Sequence, residues 1–176
     1  VMNSKRRILT FIFLFAMLLP ALAQTSFSGD DIRSDFNRAM DLYNKEKYAP
    51  AIMIFDDYVK KHTGRPDIEI MEAEYYAAMS ALKLYNPDAE YRMTSFLARH
   101  PESPETNEAR IALADYFYQN RNYRKACSYY ELVNRQELES DKLPEYFFRY
   151  GYSLYIKGDK EKALTMFSEI KDIDTE

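Results

Sequence analysis

His62 and His100 are the only imidazoles in the chain, and Cys127 is its only thiol. A metal centre needs several such donors converging on one point. Neither histidine has a cysteine or a second histidine at ligand spacing, so the sequence carries no metal-ligand set. Each falls near the end of an expected helix, where a cation is favoured by the helix dipole. The acid pairs Asp30-Asp31 and Asp56-Asp57 are chain neighbours, and neighbours on a helix point in different directions, which excludes paired acid-base work. The tail Asp172-Ile173-Asp174-Thr175-Glu176 starts like a calcium loop but has neither its glycine nor its distal glutamate; it reads as a solvated helix end. No GxxxxGK, GxGxxG, HExxH or GxSxG motif is present. These residues assign no catalysis, no metal and no cofactor, and the chain reads as non-enzymatic.

The chemistry that remains is recognition. The chain holds 16 Tyr and 11 Phe and no Trp. Tyrosine combines apolar area with a hydroxyl handle, the composition of a contact surface. Where these rings fall depends on the elements that carry them.

Those elements repeat. Lys47-Tyr48-Ala49-Pro50-Ala51-Ile52 is echoed by Asn122-Tyr123-Arg124-Lys125-Ala126-Cys127 and by Asp159-Lys160-Glu161-Lys162-Ala163-Leu164, with a weaker copy at Tyr85-Asn86-Pro87-Asp88-Ala89-Glu90. Ala51, Ala89, Ala126 and Ala163 follow one another at 38, 37 and 37 residues. Twelve residues before each stands another small residue: Ala39, Ala77, Ala114 and Gly151. Four residues after each comes a large one: Phe55, Met93, Tyr130 and Phe167. Small residues facing each other let two helices approach closely, and the bulky residue one turn on fills the space to the next hairpin.

This pattern resembles the tetratricopeptide repeat (TPR), a helix-turn-helix unit of about 34 residues. The clearest copies run from Leu113 through Tyr130 and from Tyr150 through Phe167. In the latter, Gly151, Leu154, Gly158, Ala163 and Phe167 all stand at the family spacing. The departures are the missing Trp, a second repeat without the turn glycine, and three or four extra residues between hairpins. The resemblance implies an all-α fold, an α-solenoid of about four TPR hairpins in a right-handed superhelix. With the alanine at repeat position 20, the repeats span about 32–65, 70–103, 107–140 and 144–176. Helices are expected over about 30–45, 49–62, 67–84, 88–99, 105–120, 123–134, 142–157 and 160–171. Gly64-Arg65-Pro66-Asp67, Asn86-Pro87-Asp88, His100-Pro101-Glu102-Ser103-Pro104 and Lys157-Gly158-Asp159 separate them. A solenoid is stabilised by neighbour stacking and closed by a polar cap; none is visible after the fourth repeat, and the domain is expected to continue beyond Glu176.

In the TPR family the first helix of each hairpin lines a concave groove through positions 2, 5, 9, 12 and 13. Carried over residue by residue, the partner-binding groove comprises Phe36, Met40, Tyr43 and Asn44 in repeat 1, and Ile111, Asp115, Tyr118 and Gln119 in repeat 3. Repeat 4 contributes Phe148, Tyr152, Tyr155 and Ile156. Repeat 2 offers Ala78, Ala81 and Leu82, with Tyr75 bordering at position 6, and these small residues are expected to deepen the groove. Phe36 and Met40 stand where the chaperone-type carboxylate clamp has Lys and Asn, so an acidic C-terminal tail is not the expected ligand.

The N-terminus adds a location. Lys5, Arg6 and Arg7 precede an apolar run over Ile8 to Leu19, then Pro20 and the small-x-small motif Ala21-Leu22-Ala23. This is the pattern of a secretory signal peptide over 1–23, followed by a linker over 24–31 and the TPR domain from 32. Gln24 occupies the place where a lipoprotein would have cysteine. No membrane span is expected after cleavage, and the product is expected in the periplasm or associated with the outer membrane. Loss of three cations takes the net charge from −4 to −7, without the basic stripe that nucleic acid requires. Cys127 is expected as a buried apolar thiol. The leading expectation is a scaffold binding another envelope protein or peptide segment, resembling the N-terminal part of exported multi-repeat TPR proteins of Bacteroidetes-type bacteria. A glycan-binding nutrient protein and the sensor region of a longer signalling receptor are the alternatives.

Overall fold

The computed structural model describes the backbone of residues 29–64 and 68–173 and the side chains of 33–64 and 68–171. The expected leader lies outside the described residues, as do most of the linker, the break at 65–67 and the end of the acidic tail. Eight α-helices follow one another and no strand occurs among the described residues: α1 Gly29–Asn44, α2 Tyr48–His62, α3 Ile68–Lys83, α4 Ala89–Arg99, α5 Thr106–Gln119, α6 Tyr123–Tyr130, α7 Leu143–Lys157 and α8 Lys160–Ile173. They pair as four hairpins. Within the hairpins α1 meets α2 through Phe36, Phe55 and Tyr58, and α3 packs on α4, α5 on α6 and α7 on α8; between hairpins α2 packs on α3, α4 on α5 and α6 on α7, with α3 also against α5 and α5 against α7. That one-dimensional stacking is an α-solenoid.

The small residues do what their spacing requires. Ala39, Ala77 and Ala114 on the first helices, and Ala51, Ala89, Ala126 and Ala163 on the second, are 2% exposed or less. Phe55, Met93 and Tyr130 fill the space one turn later at 0% exposure, followed by Tyr58 and Phe96 at 1% and 0%. Gly151 takes the alanine's place in the fourth hairpin and is buried against Phe167.

The turns inside the hairpins share one construction. Glu46, Tyr85, Arg121 and Gly158 have positive φ, at 57°, 55°, 58° and 99°. The next amide in each case reaches back five residues, Lys47 to Leu42, Asn86 to Ala81, Asn122 to Phe117 and Asp159 to Leu154. This is a left-handed helix stop of the Schellman type, and in three of the four hairpins it is made without glycine. In the second hairpin it falls one residue later relative to Ala77, which leaves Asn86-Pro87-Asp88 to bring the chain to Ala89.

The one element that departs from expectation is α6, which ends at Tyr130 rather than about 134. The reason lies on α5. Asn107 accepts from the Asn134 amide at 2.8 Å and donates to the Asn134 carbonyl at 3.0 Å. Arg110 donates to the Leu132 carbonyl at 3.0 Å. These bonds satisfy backbone groups that a longer helix would have used, and a short 3-10 turn at Arg135–Glu137 follows.

Candidate partner-binding groove

Among first helices α3 packs on α5 and α5 on α7, so this layer forms the inner face of the stack. Helical periodicity brings repeat positions 5, 9 and 12 onto one side of each helix. In the first hairpin that side is largely closed. Phe36 is 8% exposed, with its ring 5.9 Å from Phe55 and 5.6 Å from Tyr58. Tyr43 is half-buried between Tyr48 and Tyr76, and burial pushes its phenol up to about 12. Met40 is half-buried and Asn44 exposed.

The second hairpin is closed as well. Tyr75 is buried with its ring 5.4 Å from Phe96. Ala78 and Ala81 are 0% exposed, so these small residues serve close packing between neighbouring helices rather than lining an open depression, while Leu82, 6% exposed, borders the depression toward α5.

Among the first helices, the exposed aromatic residues stand on α7. On α7, Phe148 is 51% exposed, Tyr155 54% and Ile156 48%. The rings of Phe148 and Tyr152 lie nearly parallel, 6.3 Å apart at 19°. Tyr152 meets Tyr118 of α5 at 6.0 Å and Tyr123 of α6 at 5.5 Å, both edge to face, and Tyr118 meets Tyr123 at 5.7 Å. Such pairs are worth about 0.5–1.5 kcal/mol each beyond area burial, so Tyr118 and Tyr152 are held in fixed orientation while Phe148 and Tyr155 remain open. Ile111 is half-buried, and exposed Gln119 accepts a hydrogen bond from Tyr85.

Beneath the rings runs a polar link. Arg149 of α7 reaches Asp115 of α5 at 2.6 Å and also pairs with Glu145. Its guanidinium lies 5.8 Å from the centre of the Tyr118 ring. Tyr130 of α6 donates to the same Asp115, and burial first, then Asp115, pushes the Tyr130 phenol far above its ordinary value. Burial opposes the Arg149 charge, but the Asp115 hydrogen bond and the Asp115 and Glu145 carboxylates hold its proton more tightly than usual. Asp115 therefore joins three helices as well as facing the groove.

Three contributors escaped the sequence reading. Glu108 and Glu145 stand at position 2, which the family pattern includes, and that signal was present but unused. Arg149 stands at position 6, outside the pattern. With Ile111, Asp115 and Leu82 they line a depression of about 360 Å3 between α3, α5 and α7. A wider cleft of about 820 Å3 lies between α2 and α4. There Arg92 is held by both oxygens of Asp56, at 2.7 and 2.9 Å, and by Asp88 at 2.6 Å. Its charge is satisfied within the chain.

Of the residues first weighed for chemistry, the Asp30-Asp31 pair and the tail from Asp172 lie outside the described side chains; the others are engaged internally. Asp56 turns to Arg92 while Asp57 turns to Lys61 at 2.6 Å. The buried His62 has Nδ1 2.7 Å from the Tyr58 carbonyl, and His100 has Nε2 2.8 Å from Glu74. Cys127 is 2% exposed, and burial pushes its thiol up. No helix among the described residues is long and apolar enough to cross a membrane.

No protein-family model and no curated protein matches the chain. Among solved structures the chain is similar to one described as MamA RS-1 ArsTM double mutant, a TPR-like protein, with a TM-score of 0.67. The match covers 98% of this chain and 86% of that one at 17% identity. The likeness is one of fold, and it agrees with the TPR-like register of small residues described above.

Proposed function

We propose that the protein is a non-enzymatic TPR scaffold of the bacterial envelope whose inner face binds a segment of another exported protein. The observation that carries this is the row Phe148, Tyr152 and Tyr155, one helix-turn apart on α7, with two of its three rings half exposed. Tyr152 packs on Tyr118 and Tyr123, and Phe148 touches Phe167, yet Phe148 and Tyr155 keep about half their surface open, and apolar exposure gathered on one face marks interaction sites. The TPR-like fold supports a protein partner, although fold alone does not establish function. The envelope location rests on the basic, apolar and small-residue succession of residues 5–23. The repeat register, taken with that succession, supports kinship with exported multi-repeat TPR proteins of Bacteroidetes-type bacteria.

The open Phe148-Tyr152 pair also favours a second reading, in which a parallel aromatic platform stacks on a glycan. The sensor region of a longer receptor is compatible with the fold but has no residue that favours it. A photocrosslinking amino acid placed at Tyr155, and separately at Leu164, which is 70% exposed on α8, distinguishes these. In envelope preparations the Tyr155 position is expected to crosslink to a discrete protein and the Leu164 position not to. Equal crosslinking at both, or crosslinking to glycan alone, contradicts the scaffold reading.

A further inference from the structure

The depression between α3, α5 and α7 has an apolar floor and an acidic edge. Met79, Leu82 and Ile111 supply the floor, and Glu108, Asp115 and Glu145 the carboxylates, against the Arg149 guanidinium and the Lys83 ammonium. Glu108 and Glu145 remain 50% and 62% exposed. The nearest cation to Glu108, that of Lys142, stands at 3.5 Å and is shared with Glu139 at 3.7 Å. Immediately beside this edge begins the open row Phe148, Tyr152 and Tyr155. The chain's own Arg149 shows what the surface stabilises: a guanidinium lying 5.8 Å from a tyrosine ring centre while two carboxylates hold its N–H groups. Cation–π attraction and charge pairing act together there.

From this charge complementarity we infer that the segment received by the inner face is basic and apolar in alternation, with a long Lys or Arg side chain entering the depression and apolar neighbours on the α7 rings. The inference rests on the inner-face reading above and deepens it. A long basic side chain suits this shape because its methylene stem can lie along Met79, Leu82 and Ile111 while its charge reaches Glu108 or Glu145. At about 360 Å3 the depression admits a side chain and not a folded element. The net charge of −4 also draws a cationic segment toward the chain.

The test titrates the full chain with two labelled nonapeptides, one alternating Leu and Lys and the other Leu and Glu, by fluorescence anisotropy. The Leu/Lys peptide is expected to saturate and to bind at least about tenfold more tightly than the Leu/Glu peptide, a difference of about 1.4 kcal/mol. Glu108→Gln with Glu145→Gln should weaken it severalfold, whereas the equal charge loss Asp57→Asn on α2 with Glu131→Gln just after α6 should not. Phe148→Ala should weaken both peptides, and circular dichroism confirms that every variant is folded. Equal binding of the two peptides, equal loss in the two double variants, or no binding of either peptide overturns the basic-segment inference. In the first two cases, continued sensitivity to Phe148→Ala leaves the inner-face reading standing. Binding that prefers the Leu/Lys peptide but ignores both Phe148→Ala and the Glu108 and Glu145 changes overturns the inner-face reading as well, whereas binding that keeps the glutamate dependence and ignores Phe148→Ala overturns the seat on the α7 rings.

Discussion

A Cβ placed on Gly151 would stand 2.8 Å from Cε1 of Phe167 and 3.1 Å from its Cδ1, with Cβ of Met166 also at 3.1 Å. Helices α7 and α8 therefore approach so closely that glycine replaces the alanine of the other three hairpins. Helix propensity alone would favour Gly151→Ala by about 1 kcal/mol. The close approach reverses the sign, because Met166 Cβ is fixed by its backbone and the Phe167 ring must move. Gly151→Ala is expected to destabilise by about 1–2 kcal/mol through overpacking, read as a lower urea midpoint. A higher midpoint would show that the hairpin is looser than described.

The left-handed turns offer a change of opposite sign. Arg121 at φ 58° and Glu46 at φ 57° hold a conformation that side chains disfavour by about 1–2 kcal/mol. Part of that gain is offset by the entropy glycine loses on folding. Arg121→Gly and Glu46→Gly are each expected to raise stability by about 0.5–1 kcal/mol, and Gly158→Ala to lower it by about 1 kcal/mol. Thermal melts of the three variants check the signs.

Asp115 binds Arg149 and Tyr130 together, so its removal strands the Tyr130 hydroxyl and leaves Arg149 with Glu145 alone. Asp115→Ala is expected to cost about 2–3 kcal/mol in urea, since a buried hydroxyl and a partly buried guanidinium each lose an acceptor. Asp57→Ala, which loses only an exposed pair with Lys61, should be nearly neutral. Equal costs would mean that Asp115 does not join the three helices.

Four phenols should report unfolding at high pH. Burial is the main cause holding Tyr43, Tyr75, Tyr130 and Tyr150 above the ordinary value, with Tyr43 at about 12. A raised folded-state phenol value means that the unfolded chain loses its proton first, near pH 10. The stabilisation is complete below about pH 10; the share of Tyr43 is lost as pH climbs through about 12, and that of the other three, held higher still, goes on falling beyond it. Phenolate absorbance is expected to show these tyrosines ionising together with the loss of helical circular dichroism. Titration of all 16 tyrosines near pH 10 with the helices intact would contradict the packing.

How much of this was legible in advance follows the range of the interactions. The register of Ala51, Ala89, Ala126 and Ala163 and their small partners is a local, periodic signal, and those residues are buried as the spacing requires. The end of α6 was not legible, because it is set by Asn107 and Arg110, 27 and 22 residues earlier in the chain. The turn at Tyr85 has no glycine and falls one residue late, which no composition signal announces. In the groove, repeat position names the facing side but not whether neighbours fill it. Phe36 and Phe148 share position 5, yet Phe36 is 8% exposed beneath Phe55 and Tyr58 while Phe148 is 51% exposed. Position 2 would have pointed to Glu108 and Glu145, whereas Arg149 depends on where Asp115 of another helix stands.

The partner is proposed to lie on the inner face of the third and fourth hairpins. The direct measurement is the affinity of the crosslinked partner for Tyr152→Ala, Tyr155→Ala and Lys162→Ala, each confirmed as folded. The Lys162 ammonium makes long contacts, to Asp159 at 3.9 Å and Glu131 at 4.0 Å. Truncating an aromatic anchor is expected to cost about 2 kcal/mol, roughly thirtyfold in Kd, with Lys162→Ala unchanged. Full affinity in both tyrosine variants, or a loss confined to Lys162→Ala, would contradict the claim and return those rings to a purely structural role.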